Sequence, residues 1–285
     1  IDLTTQEGRK KVADETVQIL KTGKYKCKNS YGKIEEVDIS TKIFNCEWGS
    51  ITYKPDYYTY FSLPPKGSMC KIEVKPESTF GAARRFFAMK YKTCVLNFAS
   101  ATKPGGGFRN GKKAQEESLS RQSALYVSLK KQKEMYQYHL KNKHDNVYKD
   151  YLIYSRSVPV FRDDKTEQLL PKDQVFLTDV ITSAAPWKAK IKKSGGDVST
   201  LDKIITKRCE KILKCAIDNK VEALVLGAYG CGVFGNKPKD ISHIFKKLLI
   251  DKEYGKFFKV VDFAITGKTS ENFIEFSSTF RPYMS

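Results

Sequence analysis

Pro104-Gly105-Gly106-Gly107 places three consecutive glycines after a proline, and the seven residues 108–114 separate them from Gln115-Glu116-Glu117. Glycine permits positive φ and lets a ligand come close to the backbone. A carboxylic acid at the lip of such a cradle can donate a proton to a bound leaving group. Taken singly, each feature is ordinary. Acids in a first helical turn are favourable with the macrodipole, and glycine-rich loops often only connect. The conjunction is what points to catalysis. Neighbouring helical residues project about 100° apart. Glu116 and Glu117 therefore cannot do the same job: one faces the cleft and the other flanks it.

A second glycine-rich stretch is Gly227-Ala228-Tyr229-Gly230-Cys231-Gly232-Val233-Phe234-Gly235. It follows the apolar run Ala223-Leu224-Val225-Leu226 and precedes a helix with Pro238 near its start. Strand, bare N–H groups and helix N-terminus together make a phosphate cradle. Gly230-x-Gly232-x-x-Gly235 also fits the dinucleotide fingerprint. That fingerprint normally opens a βαβ unit with an acid about 20 residues on, and only one further strand is expected here. Phe234 puts a ring inside the loop, where it could press on a sugar or base.

These loops need elements to hold them. Thr4-x-x-Glu7 reads as a capping box, with a helix through Leu20 that Gly23 ends. Asn29-Ser30-Tyr31-Gly32 marks a hairpin between 25–27 and 34–37. Residues 54–67, with Pro55, Pro64 and Pro65, read as a loop. From residue 70 the order alternates: strand 70–74, helix 78–91, strand 93–98, the first loop 99–114 and helix 115–130. Next come a surface helix and connector over 131–150, short strands 152–154 and 158–161, and a strand at 174–181. Residues 188–196 read as exposed, and a helix runs from 199 or 200 to 219. Strand 223–226, helix 238–249 and strand 257–265 complete the pattern, with no assignment for 268–285. Alternating β and α predicts one α/β unit: an N-terminal helix-and-hairpin extension over 1–69, packed on a catalytic core over 70–285.

The chain has 285 residues, 40% of them hydrophobic, which excludes global disorder. No apolar run reaches the roughly 18–20 residues of a membrane span. Ile1-Asp2-Leu3-Thr4-Thr5 offers no signal-peptide h-region, and the missing initiator Met reads as a trimmed chain. Formal net charge is +19, but 42 of the 51 basic residues are Lys, as A/T-rich codons alone would give. The other explanation is a polyanionic partner. The seven cysteines form no C-x-x-C pair, and His139, His144 and His243 lie apart from any cysteine pair. No metal or cofactor is expected. Reduced thiols fit a cytoplasmic or nuclear compartment.

Asn97-Phe98-Ala99-Ser100-Ala101, Pro104 through Gly107 and Gln115-Glu116-Glu117-Ser118 together resemble the signature of poly(ADP-ribose) glycohydrolases. Val158-Pro159-Val160-Phe161-Arg162 and Phe176-Leu177-Thr178 resemble the microbial-type branch. The resemblance spans roughly residues 70–270. It implies a macrodomain-like three-layer α/β fold, a central mixed sheet between helices, with ADP-ribose bound at strand ends. It implies that Glu117 is catalytic and that Glu116 contacts ribose hydroxyls. Asn97, Ala99, Ser100, Gly105, Gly106, Gly107 and Gln115 would bind substrate. So would Gly227, Gly230, Cys231, Gly232, Val233, Phe234 and Gly235, with diphosphate between the loops and Phe234 ordering the distal ribose. The expected reaction is hydrolysis of the ribose–ribose O-glycosidic bond, mainly from chain ends, releasing ADP-ribose. The implied partners are poly(ADP-ribose) and poly-ADP-ribosylated proteins of the DNA damage response, met by a monomer away from membranes. Two rivals differ in class. One is a non-catalytic ADP-ribose reader, against which the intact Gln115-Glu116-Glu117 argues. The other is a Rossmann-type oxidoreductase, which micromolar NADH binding would reveal.

Overall fold

Side-chain alternation builds the sheet from its centre. In β5 (Thr93–Phe98) Cys94 and Leu96 pack against one helical layer, and Val95 against the other. In β8 (Ala223–Leu226) Leu224 and Leu226 face the first layer, Ala223 and Val225 the second. Strands buried on both faces belong inside a parallel sheet. The computed structural model describes residues 1–57, 67–142 and 145–284. It contains a seven-stranded mixed sheet in the order β3-β6-β7-β5-β8-β9-β4. The other members are β3 (Ile51–Tyr53), β4 (Lys71–Lys75), β6 (Leu152–Val160), β7 (Phe176–Ser183) and β9 (Val260–Ala264). β4, β9, β8, β5 and β7 run parallel; β6 and β3 are antiparallel additions.

One face carries α3 (Thr79–Ala88), α4 (Gln115–Gln122), α5 (Leu125–Lys131) and α6 (Lys133–Lys141). The other carries α7 (Lys188–Lys193), α8 (Leu201–Asp218), α9 (Pro238–Lys246) and α10 (Glu271–Phe280). This is the three-layer arrangement expected. At the N-terminus, α1 (Gln6–Thr22) ends on Gly23 at φ 72°, and β1 (Lys24–Lys28) pairs antiparallel with β2 (Ile34–Asp38). Both were legible. The stretch read as an extension does more than pack on the core. α2 (Ser40–Trp48) lies on β6, and β3 becomes an edge of the large sheet.

Several expectations are corrected. Thr5, not Thr4, caps α1, its hydroxyl accepting the Gly8 N–H at 3.0 Å. The single helix over 115–130 is two, because Ser123 bridges Val160 and the Ala124 N–H bonds the Pro159 carbonyl. Sheet pairing there outcompetes the next helical turn. The two strands over 152–161 are one, bulged between Ser155 and Val158. Residues 131–150 are not mere surface, since α6 buries Met135, Tyr136 and His139. Residues 188–196 contain α7, which buries Ile191. α9 ends early and passes into a π turn over Lys247–Asp251, while residues 254–257 form a 3-10 turn before β9. α2, β3 and α10 were not foreseen. Most of the loop read over 54–67, with Pro64 and Pro65, lies outside the described residues, as does His144.

One buried ion pair links this fold to the first loop. Arg121 on α4 grips Glu167 with two hydrogen bonds, Nε at 2.8 Å and Nη2 at 2.9 Å. Its Nη1 holds the Lys112 carbonyl at 3.0 Å. Both partners are nearly inaccessible. Removing one member of such a pair strands a buried charge and costs about 3–5 kcal/mol. Arg121→Ala is therefore expected to lose stability on that scale in urea unfolding. A loss below about 1 kcal/mol, typical of an exposed pair, would show that Glu167 reaches water.

Candidate active site

β5 and β8 are neighbours, so the two glycine loops leave adjacent parallel strands at their carboxyl ends. Ligands of open α/β sheets bind in that crevice. What fixes the first loop is Gln115. Its Oε1 accepts the Phe98 N–H at 2.8 Å, and its Nε2 donates to the Leu96 carbonyl at 2.7 Å and Thr79 Oγ1 at 3.1 Å. The side-chain amide thus caps the strand edge and sets where α4 begins. Both N–H groups of Gln115, a residue the sequence reading placed among the substrate-binding ones, are engaged within the fold.

Glu116 turns inward. Its Oε2 accepts the Ser100 N–H at 2.6 Å, and its Oε1 accepts from Asn97 Nδ2 at 3.3 Å. Asn97 in turn donates to Thr182 Oγ1 at 3.1 Å. Burial pushes the Glu116 carboxyl up to about 8, the Glu117 charge adding to the rise, against hydrogen bonds that oppose it. Glu117 is 8% exposed, and its Oε1 accepts the Gly107 N–H at 3.0 Å. Both carboxyls crowd the same glycine. A Cβ on Gly106 would lie 2.6 Å from Glu117 Oε1 and 3.1 Å from Glu116 Oε2, and its φ is +58°. Gly105, at φ +71°, rests against the Phe108 ring. Glu116 is clamped beneath the loop and Glu117 sits at its backbone edge.

In the second loop Asn236 does what the sequence did not reveal. Nearly buried, it donates from Nδ2 to the Pro186 and Gly230 carbonyls, each at 2.9 Å. Its own N–H bonds Gly230 O, which cinches residues 230–236 into a ring. Among the described residues, the N–H groups of Gly232, Val233 and Phe234 have no partner. Gly232 has no atom within 4 Å of its Cβ position, so its Cα side is open. Phe234 is stacked on Trp187, centroids 5.1 Å apart and planes at 24°. That stack fixes the ring, and the Phe234 carbonyl accepts the Ala189 N–H. The Cys231 thiol is pushed up to about 12 by burial, which makes it a packing group rather than a nucleophile.

A cavity of about 720 Å³ opens beside these loops, within the range of ligand sites. Phe98, Gly230, Gly232 and Phe234 line it, with Gln115 and Ser118 from α4. Glu77, Thr266 and Asn272 line it too, none of them singled out from sequence. Leu3, Thr4 and Arg9 supply wall from the N-terminal segment. α4 thus presents one face to the cavity and a second, with Glu116 and Glu117, to the first loop. Among the described residues no group of three His, Cys, Asp or Glu could hold a metal ion. No helix is long and apolar enough to cross a membrane.

A family described as microbial-type PARG, catalytic domain, matches residues 13–163. The chain is similar to the crystal structure of poly(ADP-ribose) glycohydrolase from Thermomonospora curvata. Identity is 35%, with 96% of this chain and 100% of that one covered and a TM-score of 0.86. It is also similar to that enzyme bound to the inhibitor ADP-HPD, at 35% identity, 96% and 100% coverage and a TM-score of 0.82. The poly(ADP-ribose) glycohydrolase from Deinococcus radiodurans in complex with ADP-ribose matches at 31% identity, 84% and 97% coverage and a TM-score of 0.75. No curated protein matches the chain. With more than half its length inside the family match and its whole fold shared with solved members, the chain belongs to the microbial-type poly(ADP-ribose) glycohydrolases.

Proposed function

We propose that this glycosidase cleaves the ribose–ribose bond of poly(ADP-ribose) at the terminal unit, with Glu117 as the acid–base group. The carrying observation is the contact of Glu117 with the glycine loop. Its carboxyl accepts the Gly107 N–H and meets Gly106, at the backbone edge a bound sugar would approach. In the first half of the reaction Glu117 gives its proton to the ribose oxygen that leaves. The bond between that oxygen and the anomeric carbon breaks, and the sugar gains oxocarbenium character. In the second half the carboxylate takes a proton from water, whose oxygen bonds the anomeric carbon. Glu116, retaining its proton near neutral pH, can donate to a ribose hydroxyl. The unpartnered N–H groups of 232–234 suit a diphosphate, and the Trp187-braced Phe234 suits a sugar that must not wander.

Glu117→Gln keeps shape and accepts the same N–H but cannot cycle a proton. Turnover should fall at least about 10²-fold, the low end for one acid–base group, with ADP-ribose binding retained. Release of labelled ADP-ribose from polymer reads this directly. Near-normal turnover in the variant would remove Glu117 from the mechanism. A wild-type protein that binds polymer and releases nothing would instead be a reader.

Gly232→Val tests the cradle. Gly232 does not adopt the left-handed φ, and its Cβ direction is open. The variant should fold with an unchanged melting curve yet bind ADP-ribose at least tenfold more weakly, about 1.4 kcal/mol. Unchanged calorimetric affinity would place the diphosphate elsewhere.

Glu116 carries a pH signature. Its folded-state value of about 8 lies above the ordinary 4.5. Between those values the folded chain holds a proton the unfolded chain has released, so stability falls as pH rises through that window. Glu116→Gln removes the dependence. The stability of the variant relative to wild type should therefore be lowest near pH 4.5 and rise in the variant's favour up to about pH 8. A gap flat across the window would mean Glu116 is ionised in the fold.

A further inference from the structure

The sequence left the basic excess open between codon bias and a polyanionic partner. The surface beside the first loop separates the two. The Phe108 ring lies against Gly105 and meets Tyr126 on α5, centroids 4.8 Å apart. Lys130, one helical turn on, sets its ammonium 5.5 Å from the Tyr126 ring. Its neighbour Lys131 reaches to 3.3 Å from the Trp48 ring on α2. Trp48 in turn pairs with Phe44, centroids 6.1 Å apart. Joined through the consecutive residues Lys130 and Lys131 of α5, these contacts make a row from the glycine cradle to α2. Its far end is exposed: Phe44 is 59% and Trp48 60% accessible. Among the described residues, neither Lys130 nor Lys131 has a carboxylate partner, nor does Lys42 on α2. Of the acids nearby, Glu134 is taken by Lys54 at 3.3 Å and Glu47 is half-buried.

Rings interleaved with ammonium groups that no carboxylate neutralises are the make-up of a single-strand nucleotide surface: faces for bases, charge for phosphates. From this row we infer a second substrate-binding surface, on which units of the polymer behind the scissile bond lie, with adenine on Trp48 and phosphates on Lys130 and Lys131. The inference rests on the proposed reading of the cleft. The row starts at Gly105, in the loop whose Gly107 N–H is accepted by Glu117. A second copy of this chain is a poor occupant. With a formal charge of +19 it would bring lysines against lysines, whereas a polyanion carrying one purine per unit matches both features.

The test is binding of long poly(ADP-ribose) and of ADP-ribose alone, each to a Glu117→Gln background and to that background with Trp48→Ala or with Lys130→Glu plus Lys131→Glu. Long-polymer affinity should drop roughly tenfold for Trp48→Ala, the scale of one lost base–aromatic stack. The lysine pair should also flatten the salt dependence between about 50 and 200 mM, since fewer counterions are released. ADP-ribose affinity and melting temperature should not move. In the otherwise wild-type chain the same changes should raise KM for long polymer and leave kcat. Lys203→Glu on α8, across the sheet, should change nothing. Long-polymer affinity that is indifferent to Trp48, Lys130 and Lys131, or a sedimentation shift showing that Trp48 holds two copies together, would overturn the surface. Failure of wild-type protein to release ADP-ribose from any polymer would overturn the cleft reading instead, and the binding arms would still report on the row.

Discussion

The side-chain amide of Gln115 is the contact on which the site depends. An α-helix starts with N–H groups that need partners, and a strand that ends in a loop leaves carbonyls and amides open. Gln115, the first residue of α4, answers the strand's need at one point, bonding Phe98 N and Leu96 O, and reaches Thr79 Oγ1 on α3 as well. With β5, α3 and α4 tied together there, the next two residues have little freedom. Glu116 must turn under the loop to Ser100 and Asn97, and Glu117 must meet Gly107. A shift of the helix start by one residue would rotate both acids by about 100° and empty the site of its carboxyls.

Under the proposed reading, the second loop solves the opposite problem. An anion needs N–H groups that the protein leaves unsatisfied, yet a loop without internal bonds would not keep its shape. Asn236 and the Trp187–Phe234 stack supply the shape from outside the cradle. The amides of 232–234 are therefore aligned without being consumed. Preorganisation of this kind lowers the ordering cost of binding.

What could be read from sequence follows a physical divide. The strands β5 and β8 were legible because buried parallel strands are unbroken apolar runs, and the glycine loops because few residues tolerate positive φ. The ends of α1 and α8 followed from helical periodicity and Gly23. Contacts between distant segments were not legible. The break at Ser123 arises from Val160, the edge strand β3 from pairing with β6, and the role of Gln115 from Leu96 and Phe98. A glutamine with this job has the same letter as one that touches substrate. Asn236 escaped notice for the same reason, although an Asn just past a glycine-rich loop is a residue able to close it.

The site also runs against the stability of the fold that carries it. Burying Glu116 raises its proton affinity so far that ionisation is opposed near neutral pH. Gly105, Gly106, Gly230 and Gly235 hold positive φ, which reduces what other residues could do there. Such features persist only where the surroundings over-determine them. Here that is the work of the Arg121–Glu167 pair behind α4, which fixes Lys112 at the end of the first loop, and of His139 behind its start. His139 Nε2 accepts the Lys149 N–H, so Nδ1 carries the hydrogen bonded to Ala101 O. Burial lowers this histidine to about 4. It therefore stays neutral, and the clamp on Ala101 holds throughout the range in which Glu116 changes its charge. The first glycine loop is thus braced at both ends, through Lys112 by Arg121 and through Ala101 by His139.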